Sequence, residues 1–425
     1  MIVFMFSLFV VLLLIGVPIS LTLGLTAALP LYFFSDISLK VVAQKMFGSV
    51  YSFSIMAVPF FMLAGSIFAK GGVSKRLVDL ANSVVGWLPG GLAIVTFFAC
   101  ALFGAISGSS PATVAAMGSI LVPAMLEAGY SMQFALATIS AAGFLGIVIP
   151  PSIPMVMYGV SASANIGDLF MAGFLPGILL TLAMSCYAFL YGRKHLPKGE
   201  PFQIKKVLVA LKNAVWALIM PVIILGGIYG GIFTATEAAV VACYYGLAIG
   251  IFVYKELEWR KLGVIFRDSI VQAGSILLIV ATATAFGWVL TRENIPATVA
   301  NGILNLAGGN KWIFLILVNL LLLAVGTFME TIPAILILTP ILLPAANTLG
   351  INTIAFGVMM IVNLGIGMAT PPVGINLFVA AGLEKRKLSD VVCRHLWYYL
   401  LFALLVLAVI VIFPGIVLLL PQMMA

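Results

Sequence analysis

Two long apolar stretches of the chain are broken at their centres by the same arrangement of Gly, Ser, Thr and Pro, and the two breaks lie 222 positions apart. The run Gly104-Ala-Ile-Ser-Gly-Ser-Ser-Pro111-Ala112 has a counterpart in Gly326-Thr-Phe-Met-Glu-Thr-Ile-Pro333-Ala334. Pro123 then matches Pro344, Gly129 matches Gly350, Gly146 matches Gly367 and Pro150-Pro151 matches Pro371-Pro372, with spacings kept to within one residue. Self-similarity at a fixed period marks a duplicated structural unit. Any fold for this chain must therefore house the same irregular backbone twice.

It must do so in a membrane. Of 425 residues, 63% are hydrophobic and 8% charged, against about 25% charged in a soluble domain. A transmembrane helix takes roughly 20 apolar residues, which leaves room for about ten. The net charge of +8 is no nucleic-acid footprint, because Lys and Arg lie in short loops between apolar segments. The stretch Met1 to Phe34 is too long for a signal-peptide core and lacks a basic leader. It reads as mature membrane structure holding two short spans, broken near Gly16 and Pro18. Cys100, Cys186, Cys243 and Cys393 form no CxxC pair and are expected to be buried, inert thiols.

Orientation follows from the basic loops. Arg193 to Lys198 with Lys205, Lys206 and Lys212, then Lys255 to Arg267, then Lys385 to Arg394, are placed in the cytoplasm by the positive-inside rule. Lys70, Lys75 and Arg76 make a fourth cluster, with Asp79 expected to pair with Lys75 one turn away. From the central loop, spans near 212–233, 236–254 and 270–291, a hairpin near 311–348, and spans near 352–384 and 396–420 give five crossings. Five is odd, so the halves are inverted and both termini are expected on the periplasmic side. The expected fold is an all-α polytopic membrane protein. Residues 1–206 form a first inverted repeat with hairpin 92–127 and broken helix 131–160; residues 207–425 form a second with hairpin 311–348 and broken helix 352–384. The amphipathic stretches Val73 to Trp87 and Thr291 to Leu306 are expected to lie along the membrane.

Non-helical backbone at membrane depth survives only inside protein or beside an aqueous cavity. Paired broken segments in two repeats therefore point to a transporter binding site. Pro111 and Pro333 suit the first position of a helix, where a missing N–H is harmless. The half-helix beginning there aims free N–H groups and a positive dipole end at the tip, where an anion can sit. Candidate substrate residues are Ser109, Ser110, Pro111, Glu330, Thr331 and Pro333 at the tips, with Ser152, Pro372 and Asn376 beside the Pro-Pro breaks. Carbonyls of the half-helices that end at each break, with nearby hydroxyls, make oxygen cages for a hard cation. With few carboxylates nearby, Na⁺ suits them better than Ca²⁺. One cage is expected from Ser107, Ser110, Gly146, Val148 and Pro150, and another from Gly326, Thr327, Gly367, Thr370 and Pro371.

Glu330 is an acid at membrane depth and a functional candidate on that ground, although Thr327 three residues earlier also permits a capping box. Thr234 and Glu237 have the same spacing and are expected to form a structural cap. Glu127 and Asp168 fall at segment ends and read as solvated. His195 and His395 belong to basic loops, with no catalytic role expected. A membrane enzyme would need clustered acids or histidines in the bilayer, and no GxxxxGK[ST] phosphate loop is present.

The stretch from Gly104 to Pro111, the Pro150-Pro151-Ser152 break and the Gly367 to Gly374 run resemble the large membrane subunit of tripartite ATP-independent periplasmic (TRAP) transporters. The resemblance covers essentially the whole chain. It implies an ion-transporter-superfamily fold with a scaffold and a moving elevator domain, in the bacterial inner membrane. It also implies Na⁺ coupling at two or more sites, organic-acid substrates of the C4-dicarboxylate or sialic acid class, and a periplasmic substrate-binding protein. A small four-helix membrane subunit is implied as well, expected as a separate polypeptide because the chain starts directly with the first repeat. Surrounding lipid is the remaining partner, and nucleic acid is not expected. The alternative is a stand-alone ion-coupled organic-anion carrier of the same superfamily.

Overall fold

The computed structural model describes residues 1–196, 199 and 201–424; Pro197 and Lys198 of the central basic segment lie outside the described residues. The first half forms α1 (Ile2–Leu14), α2 (Ile19–Phe34), α3 (Lys40–Val50), α4 (Ala57–Lys70), α5 (Val73–Val85), α6 (Gly91–Ser107) and α7 (Ser110–Glu127). It continues through α8 (Met132–Gly143), α9 (Leu145–Val148), α10 (Ile153–Ala162) and α11 (Ile166–His195). The second half forms α12 (Ile204–Tyr229), α13 (Ala235–Ala248, running into a π turn), α14 (Trp259–Arg292), α15 (Ile295–Leu306), α16 (Lys311–Phe328) and α17 (Thr331–Thr348). Then come α18 (Thr353–Met368), α19 (Ile375–Leu383), α20 (Leu388–Val391), α21 (Arg394–Ile412) and α22 (Gly415–Met424). Among the described residues, eight helices are long and apolar enough to cross a membrane, and two bent pairs raise the number to ten.

The breaks fall where the sequence places them. The chain turns at Ile15–Pro18 between α1 and α2, the hairpins α6–α7 and α16–α17 turn at Gly108–Ser109 and Met329–Glu330, and both Pro-Pro pairs interrupt a helix. Both Pro-Pro peptide bonds are cis. Gly108 has φ +61°, a left-handed conformation that a side chain disfavours. Pro111 is the second residue of α7 and Pro333 the third of α17, rather than the first. Either position is harmless, because the first four N–H groups of a helix have no partner within it. The halves also differ: the 34-residue α14 is continuous, whereas its place in the first half is shared by α3 and α4.

All four basic segments gather at one end of the molecule. Arg76 pairs with Glu256 at 2.7 Å and lies over the Tyr254 ring, and Lys70 reaches Asp268 at 3.5 Å. Tyr191 contacts both His195 and His395, and Lys205 and Lys206 share a cleft with Asp79, Trp87 and Ala128. Asp79 does not pair with Lys75; the arginine one position further on turns to Glu256 instead. At the opposite end Tyr158 donates to the Thr353 carbonyl at 2.8 Å, and Lys45 lies over Trp288. Hairpin α6–α7 has its open end among the basic segments, since Gly90 abuts Ala188 and Gly192 and Ala128 shares the cleft of Lys205. Hairpin α16–α17 opens at the other end, where Asn347 meets Thr353. The halves are thus inverted, and their cores are interleaved: α10 packs on α17, and α19 packs on α7 and α8.

The smaller expectations divide. Thr234 and Glu237 form the reciprocal capping box, and Glu127 and Asp168 are exposed. Cys100 and Cys243 are buried, but Cys186 is exposed on α11 and Cys393 is only half-buried. Neither histidine is in a loop: His195 ends α11, and His395 lies in α21, buried at 6% exposure, bonded through Nδ1 to the Tyr187 hydroxyl at 2.8 Å and ringed by Phe134, Tyr191 and Tyr187.

Candidate functional site

The two hairpin tips, entering from opposite ends, meet at one cavity of about 520 Å³. Gly108, Ser109, Ser110 and Pro111 form one wall, Glu330, Thr331 and Ile332 another, and the start of α10 at Ile153 and Pro154 a third. The remaining side is α14, through Val271, Gln272, Ser275 and Ile279, with Met62 of α4. Each tip holds the N-terminus of a half-helix, α7 and α17, without a side-chain cap on the free N–H groups. Two positive dipole ends therefore face one cavity whose lining is mostly apolar, with polar groups at the tips and at Gln272 and Ser275.

Of the candidate substrate residues, Ser109, Ser110, Pro111, Glu330 and Thr331 line this cavity. The other four do not. Ser152 is fully buried and caps α10, donating to the Ile147 carbonyl at 2.5 Å and accepting from the Met155 amide. Asn376 is fully buried and holds Ser110: the serine hydroxyl donates to its Oδ1 at 2.9 Å, and its amide donates to the Ser140 carbonyl at 3.2 Å. Pro333 is buried within α17, and Pro372 is exposed outside the cavity lining. Asn376 is thus bonded to the first tip through Ser110, whereas Ser152 is engaged at the start of α10. The possible Thr327–Glu330 capping box is absent: Thr327 lies inside α16, its hydroxyl donating to the Ala324 carbonyl, while Glu330 is the N-cap of α17.

Behind the first tip, oxygens converge on Gly146. The Thr113 hydroxyl donates to the Ser109 carbonyl at 2.7 Å and stands 3.0 Å from Ser107 Oγ, and a Cβ at Gly146 would meet Thr113 Oγ1 and the Ser109 carbonyl. Two assignments shift here. Ser110 Oγ turns away to Asn376, and the Val148 carbonyl faces Gly173 of α11 rather than the tip. It is the Pro151 carbonyl that approaches Gly108, while the Ile153 amide donates to the Gly108 carbonyl at 3.2 Å. Thr113 was not visible as a candidate; its signal was the i+4 spacing from Ser109 in a half-helix whose first turn faces the tip.

Behind the second tip the backbones touch. A Cβ on Gly367 would lie 2.6 Å from Gly326 Cα, and the Gly374 amide donates to the Thr327 carbonyl at 2.9 Å. Gly104 and Gly146 make the matching approach in the first half, at 2.8 Å from a Cβ on Gly104 to Gly146 Cα. Thr327 donates to the Ala324 carbonyl of its own helix and Thr370 to the Ile366 carbonyl in the last turn of α18, which leaves oxygen lone pairs available. Both line a cleft of about 350 Å³ against Trp397, Leu400 and Leu401 of α21, separate from the tip cavity. The scaffold residues Gln272 and Ser275 were also missed. They are polar side chains one turn apart in a long apolar helix, a signal that the paired-break argument did not use.

Comparison with known proteins is consistent across the chain. Residues 6–416 match the profile of the family described as "Tripartite ATP-independent periplasmic transporter, DctM component". The isethionate TRAP transporter permease protein of Oleidesulfovibrio alaskensis is 47% identical over 91% of the chain, which spans 61% of that relative's length. The C4-dicarboxylate TRAP transporter large permease protein of Rhodobacter capsulatus is 41% identical over 99% of the chain and 98% of its own. The sialic acid large permease of Vibrio cholerae is 36% identical over 96% and 95%. Among solved structures, the Alcanivorax borkumensis YdaH transporter superposes with a TM-score of 0.60 at 16% identity, covering 96% of this chain and 98% of its own. That likeness is one of fold.

Proposed function

The chain belongs to the DctM family of tripartite ATP-independent periplasmic transporters, and from that membership we propose that it is the large permease of a Na⁺-coupled importer of small organic acids. The observation that carries this reading is the single cavity shared by two inverted hairpin tips, each ending in an uncapped helix N-terminus. Organic acids are the class because such N-termini favour anions, and because the relatives named above are permeases for isethionate, C4-dicarboxylates and sialic acid. A periplasmic binding protein delivers the substrate, and a small membrane subunit braces the permease in the inner membrane. The basic end faces the cytoplasm and both chain termini the periplasm.

Na⁺ is held behind the tips, by Ser107, Thr113 and the Ser109 carbonyl near Gly146 in one half, and by the Thr327–Gly367–Thr370 region in the other. Ligands of this kind are neutral hard oxygens, suited to a monovalent hard cation. Binding Na⁺ there fixes each tip against its broken helix and so orders the two tips that enclose the substrate. Transport proceeds as an elevator. The unit of α6–α10 with α16–α19 carries the cavity past α4 and α14, whose side chains form its outer wall. Near-equivalent inverted halves supply the two access states by exchanging conformations.

The test is uptake into proteoliposomes containing the permease, its small subunit and its binding protein. Accumulation should follow an inward Na⁺ gradient, without ATP. Uptake driven equally by K⁺, or requiring ATP, would refute the coupling; loss of uptake in Ser107→Ala and Thr113→Ala with an altered Na⁺ dependence would support the cages.

A further inference from the structure

The two tips are related by the repeat yet differ in chemistry. Matching Gly104 to Gly326 sets Gly108 against Glu330, Ser109 against Thr331 and Pro111 against Pro333. The first tip accordingly presents free N–H groups and a Ser109 hydroxyl that makes no hydrogen bond among the described residues; only that residue's carbonyl is engaged. It carries no acid. The second tip presents the carboxylate of Glu330, which lines the cavity and has neither an ion pair nor a hydrogen bond among the described residues. No Lys or Arg lines the cavity, and Gln272, its nearest amide from the scaffold side, is neutral.

This inventory constrains what fits. A helix N-terminus with hydroxyls takes an anionic group without help from a cation. An unpaired carboxylate on the facing wall repels a second anion and rewards a donor, since hydrogen bonds to charged groups are the strong ones. We propose that the cavity selects organic monoanions bearing a hydroxyl or ammonium donor remote from the anionic group. The anion rests on the Ser109–Pro111 tip and the donor on the Glu330 carboxylate; a dicarboxylate of the same length is disfavoured. The inference rests on the reading of this cavity as the substrate site.

The experiment is competition binding to the purified permease with its small subunit, in Na⁺. Matched sets of two to six carbons are compared: the unsubstituted alkanoate, the ω-hydroxyalkanoate and the α,ω-dicarboxylate. At the preferred length the hydroxy acid should bind about 10- to 100-fold more tightly than either partner. Glu330→Gln should reduce that preference to within about threefold, while Glu330→Asp, which keeps the charge, preserves the order. Thermal melts of both variants separate lost preference from lost folding. If the dicarboxylate binds as well as the hydroxy acid to the native protein, the selectivity inference falls and the organic-anion site stands. If no member of any set binds at any length, the substrate site itself has been misplaced.

Discussion

Replacing Gly367 with alanine tests the backbone contact behind the second tip. The new Cβ would lie 2.6 Å from Gly326 Cα, 2.7 Å from its carbonyl carbon and 3.1 Å from its oxygen. Ordinary carbon contacts lie at about 3.5–4.0 Å, so α16 and α18 must part locally by about 1 Å. No side chain can rotate aside, because every atom met is backbone. Overpacking of this kind costs about 1–3 kcal/mol. Gly263→Ala serves as the control: it lies in α14, nothing is within 4 Å of its Cβ position, and alanine in a helix interior should be better by about 0.5–1 kcal/mol. Thermal unfolding of the purified protein, followed by tryptophan fluorescence, should show Gly367→Ala melting several degrees below the native chain and Gly263→Ala at or above it. Separation of α16 from α18 also strains the 2.9 Å bond from the Gly374 amide to the Thr327 carbonyl, so the Na⁺ concentration giving half-maximal uptake should rise in the same variant. A Gly367→Ala protein with native melting and native Na⁺ response would refute the close contact and the cage built on it.

Tyr187→Phe removes the hydroxyl bonded to buried His395 and should lower stability by about 1–3 kcal/mol, measurable by denaturant unfolding. Thr234→Ala opens the capping box of α13 and should cost about 1 kcal/mol in the same assay. Arg76→Lys keeps the charge facing Glu256 but loses the guanidinium stacked on Tyr254; with partners half-exposed, its effect should stay below about 1 kcal/mol and shrink in salt. Cysteines placed at Glu127 and at Thr348, in a background lacking exposed Cys186, should react with impermeant maleimide from opposite sides of the membrane; labelling from one side alone would contradict the inverted hairpins.

Much of the architecture was legible because its determinants are local. Gly and Pro at matched positions specify where helices stop, and a helix that stops inside a membrane needs a buried or aqueous setting. Charge asymmetry likewise fixed which loops share an end. What escaped were directions of side chains. Ser110 and Ser152 sit at the expected breaks, yet each hydroxyl is engaged by a partner: Ser110 by Asn376, 266 positions away, and Ser152 by the Ile147 carbonyl. Position along a chain reports proximity to a tip but not which way a χ1 rotamer points. The wall supplied by Gln272 and Ser275 has no such signal, because it belongs to the unbroken helix α14. His395 looked like part of a charged loop because its neighbours in sequence are basic, whereas its neighbours in space are aromatic.

The interleaving of the halves has a consequence for how the chain is made. Helix α10 finds its partner in α17, and α7 and α8 find theirs in α19. Ribosomes add about 5–20 residues per second, so Ala162 waits on the order of 10–40 s before Thr348 has been synthesised. For that interval the first half stands in the bilayer without the Glu330–Ile332 wall of the cavity, leaving the uncapped start of α7 uncovered. A ribosome that stops after residue 206 therefore releases a product for membrane proteases to remove, and a second half supplied as a separate polypeptide should rescue it only if both are made at the same time.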